Sequence, residues 1–142
     1  MKSLDIGPGP IPAKGTTHAL DQPWWNDIEH LTPKWRRREW GDTAFERIKF
    51  RYGDVTKRLP YKDSTFDRVT CYNALGNEID VFLAMPEIAR VLKSTGHVTF
   101  VIYDTEEQDV TEAMRSSGLV ITRKERIPED ETSIRIRGRK AR

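Results

Sequence analysis

The chain has 142 residues, of which 37% are hydrophobic and 32% are charged, and its formal net charge is +2. This content suits one soluble domain with a buried core, and so small a net charge does not by itself indicate a nucleic-acid-binding protein. The single cysteine, Cys71, excludes an intrachain disulfide. The amino terminus lacks the apolar core of a signal peptide, and no apolar run approaches transmembrane length. We therefore expect a cytoplasmic protein that does not bind a membrane.

The first predicted strand covers residues 2–6 and ends in a glycine-rich loop. Its apolar residues alternate with polar ones, and Asp5 lies near its carboxyl end. Gly7 and Gly9 remove side chains where another group must come close to the backbone. Open α/β sheets bind ligands just beyond the carboxyl ends of their strands, although glycine and proline also form ordinary turns.

A second predicted strand covers residues 16–20 and ends in Asp21. The prolines and glycines of residues 7–15 leave no room for a long helix between the two strands. In nucleoside-binding α/β proteins, a carboxylate in this position accepts the ribose hydroxyls. The alternative is that Asp21 only begins a turn before Pro23.

The segment from residue 22 to residue 47 is rich in tryptophan. A helix is predicted from Pro33, capped by Thr32, to the residue before Gly41. Its run of three arginines could bind a phosphate-bearing acceptor. Runs of charged residues more often form solvated helix faces, and we favour that interpretation here. The tryptophans of the segment are Trp24, Trp25, Trp35 and Trp40, and the arginines of the run are Arg36, Arg37 and Arg38.

The rest of the chain mostly alternates strands and helices. Strands are predicted at residues 48–52, 66–72 and 97–103, helices at 77–92 and about 104–117, and a closing hairpin at 119–127 and 132–137. Pro86 predicts that the helix at 77–92 has a kink or is divided into two short helices. Gly96 is predicted to end this helix. This order predicts a single α/β domain, residues 1–142, with a mostly parallel sheet, an antiparallel strand from the hairpin, and helices on both faces.

The ordered motifs resemble those of a class I S-adenosylmethionine-dependent methyltransferase. The resemblance covers residues 2–137 and is closest to the type 11 methyltransferases, in a small form without the N-terminal helices. It implies a Rossmann-like methyltransferase sheet and S-adenosylmethionine as the cofactor. The matching motifs are Asp5-Ile6-Gly7-Pro8-Gly9, Asp21, Gly53-Asp54-Val55, residues 59–69 ("LPYKDSTFDRV") and residues 87–96 ("EIARVLKSTG").

The resemblance also implies roles for individual residues. Asp5 supports the glycine loop or the cofactor's amino group, Asp21 holds the ribose, and Asp54 accepts from the adenine amino group. The full set of expected cofactor-binding residues is Asp5, Gly7, Pro8, Gly9, Asp21, Gln22, Asp54, Val55, Asn73 and Ala74. No general base can be placed, and the scattered histidines, among which His97 begins a strand expected to be buried, suggest no metal site.

This chain departs from the family pattern at its beginning. Pro10 stands where a third glycine is frequent, and only Met1 precedes the first strand, where the family commonly has helices that close over the ligand. Residues 22–41 are therefore predicted to lie over the carboxyl edge of the sheet as a lid. Trp24 or Trp25 would then line the substrate pocket.

Several functional alternatives stay open. The fold could serve as a catalytically inactive binding or partner subunit, whereas a nicotinamide-dependent oxidoreductase would need a Gly-x-Gly-x-x-Gly motif that opens a helix. The methyl acceptor could be a small molecule, a nucleic acid, a protein or a glycan, and the chain could form a homo-oligomer. Arg135 and Arg137 share a face of the last strand, which is interpreted as a solvent-facing strand unless salt-dependent binding shows otherwise.

Overall fold

The protein is described by a computed structural model for residues 1–8, 12–21, 33–72 and 79–141, with side chains omitted for 33–35. Its centre is a seven-stranded sheet in the order β3-β2-β1-β4-β5-β7-β6. Strands β1 to β5 pair in parallel, and β7 pairs antiparallel with both β5 and β6. The strands are β1 Ser3–Ile6, β2 His18–Asp21, β3 Lys49–Tyr52, β4 Phe66–Tyr72, β5 Leu92–Tyr103, β6 Leu119–Ile127 and β7 Asp130–Lys140.

Helices cover parts of both faces of the sheet, as predicted. They are α1 Pro33–Trp40, α2 Asp42–Arg47, α3 Val81–Val91 and α4 Glu107–Ser116, the last preceded by a 3₁₀ turn at Asp104–Glu106. The larger core joins α3 and α4 to side chains such as Leu4, Val69 and Phe100, and it contains Cys71. A smaller core on the other face packs Trp40 of α1 and Ile48 against Ala19 of β2.

The single cysteine, Cys71, has a structural role in the core. Cys71 is fully buried in the larger core. Burial raises the pKa of its thiol far above the usual range, and the nearby Asp5 adds to the effect. A thiol with so high a pKa stays protonated and packs as a small apolar group, which agrees with the structural role expected for it.

Of the two outcomes predicted for Pro86, a kink or two short helices, the division into two helices is wrong. Residues Val81–Val91 form one helix, capped by the side chain of Asp80, which accepts a hydrogen bond from the Phe82 N–H at 2.9 Å. Pro86 lies inside this helix on its exposed side. The carbonyl that loses its partner to a proline can be hydrated on an exposed face, so the helix continues through it.

Strand β5 begins earlier than predicted. It starts at Leu92, directly after α3, so Gly96 lies in a strand instead of ending a helix. A Cβ on Gly96 would lie 2.8 Å from the Leu92 side chain and 3.0 Å from the carbonyl oxygen of Phe66. Glycine is needed here because β4 has an irregular register between Phe66 and Arg68 that brings its backbone close. His97 is exposed, contrary to its expected place in a buried strand.

The crossover from β1 to β2 has no helix in its described part, residues 12–17, as predicted. The side chain of Arg68 lies over this region. Its Nε donates to the Ser3 hydroxyl at 2.8 Å, and its Nη2 donates to the Lys14 carbonyl. A long side chain from the neighbouring strand β4 thus fastens the loop to the sheet where a crossover helix would otherwise pack.

Candidate cofactor site

The predicted site residues meet at one edge of the sheet. Strands β1, β2, β3 and β4 are parallel, so their carboxyl ends lie together. The Gly7 loop follows β1, Asp21 ends β2, Asp54 follows β3, and Tyr72 ends β4. The point where chain connections diverge, between β1 and β4, is the topological switch point at which open α/β sheets bind ligands.

Asp5 is a buried carboxyl group that fastens the returning end of the glycine loop. It is 2% exposed, and its Oδ2 accepts a hydrogen bond from the Ala13 N–H at 2.8 Å. Burial raises the pKa of this carboxyl to about 6, although the Ala13 N–H and the charge of Arg68 lower it. Its Oδ1 is buried and has no hydrogen-bond partner among the described residues. An unpartnered buried oxygen is costly, so Oδ1 is suited to accept from a donor beyond the described residues, although the Thr70 hydroxyl also lowers the pKa of this carboxyl.

Gly7 gives the loop its direction. Its φ of 66° lies in the left-handed region, which favours glycine. Its N–H donates to the Leu20 carbonyl at 2.8 Å, which joins the start of the loop to β2. Pro8 is buried beside it. The backbone therefore turns sharply at the carboxyl end of β1, as a ligand-binding loop requires.

Asp21 is buried and forms an ion pair with one member of the arginine run, which corrects the expected solvated face for that arginine. It is 4% exposed, so its carboxylate does not lie outside the core, and its Oδ2 is 3.6 Å from Nη2 of Arg36 in α1. Arg36 is 2% exposed, so this member of the arginine run is not on a solvated face. Arg37 and Arg38 are exposed, as the solvated interpretation expects.

The guanidinium of Arg36 is held by aromatic residues of β3. It lies 3.9 Å from the ring centroid of Phe50, and its Nη1 donates to the Tyr52 hydroxyl at 2.9 Å. Its Nη2 is buried and forms no hydrogen bond with any described residue. The pair of Asp21 and Arg36 therefore places both a carboxylate and a partly unsatisfied guanidinium beside the ends of β2 and β3.

Asp54 forms a turn that leaves one of its oxygens available. Its Oδ1 accepts from the N–H of Thr56 at 2.9 Å and from the hydroxyl of Thr56 at 2.6 Å. No residue in the described ranges donates to Oδ2. Val55 is fully buried next to it. This arrangement fixes the Asp54 carboxylate while keeping an acceptor oxygen for a ligand.

A second set of motif residues has a structural function. Arg90 donates to both carboxylate oxygens of Glu87, to the Asp63 carboxylate, and to the carbonyls of Leu59 and Tyr61, at 2.8–3.0 Å. Glu87 also accepts from the Leu59 N–H at 2.7 Å. The hydrogen bonds from Arg90 lower the pKa of the Asp63 and Glu87 carboxyl groups. The two motifs, residues 59–69 and 87–96, are thus clamped together away from the glycine loop.

The structure adds Glu106 as a candidate, since no sequence pattern distinguishes it from the other acidic residues of 104–109. It lies in the 3₁₀ turn after β5, in an open cleft shared with Asp80 at the start of α3 and with Asp109. Its Oε2 is buried and has no hydrogen-bond partner in the part of the chain that the structure describes, and burial raises the pKa of this carboxyl. A carboxyl group with a raised pKa beside a cleft is suited to exchange a proton with a ligand.

The remaining predicted site residues lie outside the described ranges. They are Gly9, Gln22, Trp24, Trp25, Asn73 and Ala74. Most of the predicted lid, residues 22–41, lies there as well, and its position over the edge stays a prediction. Within the described ranges, no group of three histidine, cysteine, aspartate or glutamate side chains could hold a metal ion. In the same ranges, no helix is both long and apolar enough to cross a bilayer.

Solved structures identify the fold class. The PH0226 protein of Pyrococcus horikoshii OT3 superimposes with a TM-score of 0.76 at 16% sequence identity, covering 99% of this chain and 82% of that one. A TehB-like SAM-dependent methyltransferase from Corynebacterium glutamicum superimposes with a TM-score of 0.70 at 17% identity, covering 99% and 80%. At such identities the similarity shows a common fold, the Rossmann-like fold of methyltransferases.

Sequence similarity identifies the family. Residues 23–100, more than half of the chain, match the family described as "Methyltransferase domain". The uncharacterized methyltransferase YcgJ of Bacillus subtilis is 36% identical over 69 residues, which is 49% of this chain but only 27% of that protein. The chain belongs to the methyltransferase domain family, which confirms its resemblance to the class I S-adenosylmethionine-dependent enzymes. Family membership implies S-adenosylmethionine as the cofactor. The matched range begins after the Gly7 loop and does not identify an acceptor.

Proposed function

We propose that this domain transfers a methyl group from S-adenosylmethionine, bound at the Gly7–Gly9 loop, to an acceptor near the ends of β4 and β5. The observation that carries the proposal is the unpartnered Oδ1 of Asp5, a buried carboxyl group beside a glycine with a left-handed φ. A buried carboxyl oxygen at this edge is suited to accept from the ammonium group of a bound amino acid moiety. The cofactor supplies the activated methyl group on its sulfonium.

The protein's own residues position the cofactor by its polar groups. Gly7, Pro8 and Gly9 would let the loop backbone approach the methionyl part. The Asp21 carboxylate would accept the ribose hydroxyls, held in place by the buried Arg36 at 3.6 Å. The available Oδ2 of Asp54 would accept from the adenine amino group, and the buried Val55 follows it in the chain. Gln22, Asn73 and Ala74 are proposed as further contacts.

The acceptor must be aligned with the methyl group and kept from water. The ends of β4 and β5 and the cleft beside α3 provide the described surface next to the cofactor site. Glu106 lies in that cleft, and burial raises its pKa, so we propose it as a group that takes a proton from an acceptor. Trp24 and Trp25 are proposed to close the pocket from above.

Calorimetric titration with S-adenosylmethionine tests the proposal. The wild-type protein should bind, and the variant Asp54→Ala should bind more weakly than Asp54→Asn, since the amide keeps an acceptor oxygen. Because Asp54 is half-buried at a turn, circular dichroism and a thermal melt must show that both variants fold. Absence of binding to the folded wild-type protein would contradict the proposal, and binding of NAD instead would indicate a different cofactor class.

The second candidate function is a methyltransferase-like partner subunit without catalysis. The ion pair of Asp21 and Arg36 favours it, because the expected ribose acceptor already has a buried charged partner. Competition by a ligand for such a carboxylate costs part of the pair's interaction energy. Calorimetry distinguishes the two functions, since a partner subunit would bind neither S-adenosylmethionine nor its demethylated product.

A further inference from the structure

One face of β4, β5, β7 and β6 carries a group of arginine side chains. The register places these residues on the side opposite the larger core, because Val98, Phe100 and Ile136 point the other way into that core. None of the described α-helices packs against this side, since α1 and α2 cover β2 and β3, and α3 and α4 belong to the larger core. We call it the arginine face; its polar and aromatic members are Arg68, Tyr72, His97, Tyr103, Arg123, Glu125, Arg135, Arg137 and Arg139.

The charge of this face is strongly one-sided. Among the described residues it presents five arginines and a single exposed or half-exposed carboxylate, Glu125. Arg123 and Arg135 share Glu125, at 3.0 Å and 3.2 Å. Arg137 is exposed and Arg139 half-exposed, and neither forms an ion pair with a described carboxylate. Although the net charge of the chain is only +2, the arginine face is therefore locally cationic and is suited to bind a polyanion.

Two tyrosines lie on the same face at its end nearest the candidate cofactor site. Tyr72 ends β4 and is 41% exposed, and Tyr103 ends β5 and is 44% exposed. Tyr72 is opposite Val101 on the neighbouring strand, two residues before Tyr103, so about 8 Å separates the Cα atoms of the two tyrosines. Exposed aromatic rings on a sheet, flanked by arginines, are suited to stack unpaired bases while the cations contact phosphates.

We propose that the arginine face binds single-stranded nucleic acid and leads one nucleotide past Tyr72 and Tyr103 to the carboxyl edge as the methyl acceptor. The acceptor half rests on the proposed function, whereas the binding half does not. A flat face with exposed rings favours a single strand over a duplex, whose bases are already stacked. The rings also favour nucleic acid over an acidic peptide, for which the arginines alone would suffice.

The binding half is tested by fluorescence anisotropy with labelled 12-nucleotide oligo(U), oligo(A) and oligo(dT), without cofactor. The variant carrying Arg137→Gln and Arg139→Gln removes two charges from the arginine face. Its matched control carries Lys124→Gln and Arg126→Gln, which removes two charges from the opposite face of the adjacent strand, where they pair with Glu107 and Asp104. Thermal melts check that both variants fold.

The first variant should bind at least tenfold more weakly, and the slope of log affinity against log salt should fall by about 1.4, as loss of two phosphate contacts predicts for a single strand. The control should change affinity less than threefold. Equal losses in both variants, absence of salt-dependent binding, or equally tight binding of poly-glutamate would overturn the proposal, the last in favour of an acidic protein partner.

The tyrosines separate stacking from simple charge attraction. Tyr103→Ala should weaken binding by about fivefold or more, and Tyr103→Phe should retain affinity because it keeps the ring. Equal affinities of the two variants would refute the stacking arrangement. Methyl transfer from radiolabelled S-adenosylmethionine to the bound oligonucleotides then tests the acceptor half. Cofactor binding without any transfer would overturn that half and leave the proposed function standing.

Discussion

The buried pair of Asp21 and Arg36 gives the sharpest test of this structure. Replacing Arg36 by Met removes the charge but keeps an apolar side chain of similar length, and it leaves the 4% exposed Asp21 without its counter-ion. At 3.6 Å and an effective dielectric constant of about 20, the attraction between the two charges is about 4–5 kcal/mol. Loss of one partner of a buried pair typically costs about 3–5 kcal/mol, so the two estimates agree.

Arg36→Met should cost more than Asp21→Asn. Only the first change also loses the contact with the Phe50 ring and the hydrogen bond to Tyr52, worth about 0.5–2 and 1.5–3 kcal/mol. The free energies of unfolding are measured in urea for both single variants and for the double variant. Because Asp21→Asn in the double variant removes a charge that has already lost its pairing with Arg36, the double variant should lose less than the sum of the single losses.

A milder variant and a surface control keep this test decisive. Tyr52→Phe removes only the hydroxyl that Arg36 contacts and should cost about 1.5 kcal/mol, in case Arg36→Met does not fold. Arg38→Met lies on the same helix but is 73% exposed, and it should change stability by less than about 0.5 kcal/mol. If Arg36→Met costs no more than Arg38→Met, or if the losses are additive, the buried pair does not form in solution.

Four further predictions follow from individual side chains. Because burial raises the pKa of Asp5 from 3.8 to about 6, protonated Asp5 adds about 3 kcal/mol of stability below pH 3.8, and this contribution is lost as the pH rises through 6. Free energies of unfolding are measured in urea for the wild type and for Asp5→Asn. The difference between them should change between pH 4 and 6 and stay constant above pH 6. An unchanging difference would contradict the burial of Asp5. Arg90→Met should lower the free energy of unfolding by about 3 kcal/mol, and Arg90→Lys should restore little of it because an ammonium lacks the fork of five donors; full rescue by lysine would refute the clamp. Asp54→Ala should weaken cofactor binding more than Asp54→Asn in calorimetry, and equal effects would remove Asp54 from the adenine site. Trp25→Ala should reduce methyl transfer more than stability, whereas a loss of about 3–5 kcal/mol in unfolding energy would show a core tryptophan instead of a lid.

The sequence predicted the strands along the chain, the mostly parallel sheet and the edge at which the candidate site residues meet. Alternating apolar residues and the glycine loop define β1, and the closing hairpin accounts for the antiparallel β7. These signals are local, because each depends on residues within one element or one turn. The carboxyl ends of parallel strands then bring Asp5, Asp21 and Asp54 to one edge without further information.

The contacts that determine each residue's role are not local, and the sequence could not show them. Nothing in the run of three arginines identifies Arg36 as the buried member, because that depends on how α1 is rotated against Phe50 and Tyr52 of β3. The function of Arg90 depends on carbonyls 29 and 31 residues away. The early start of β5 depends on its close approach to the irregular register of β4.

The two edge strands of the open sheet bear on aggregation. Strand β3 exposes Lys49 and Arg51, and strand β6 exposes Arg123, Lys124 and Arg126. Unpaired N–H and C=O groups along an edge can recruit a strand from another molecule, and rows of like charge oppose this. Contact between any two of these edges in separate copies brings cations against cations. Growth of the sheet from molecule to molecule is thereby disfavoured, and any self-association is expected to use another surface of the domain.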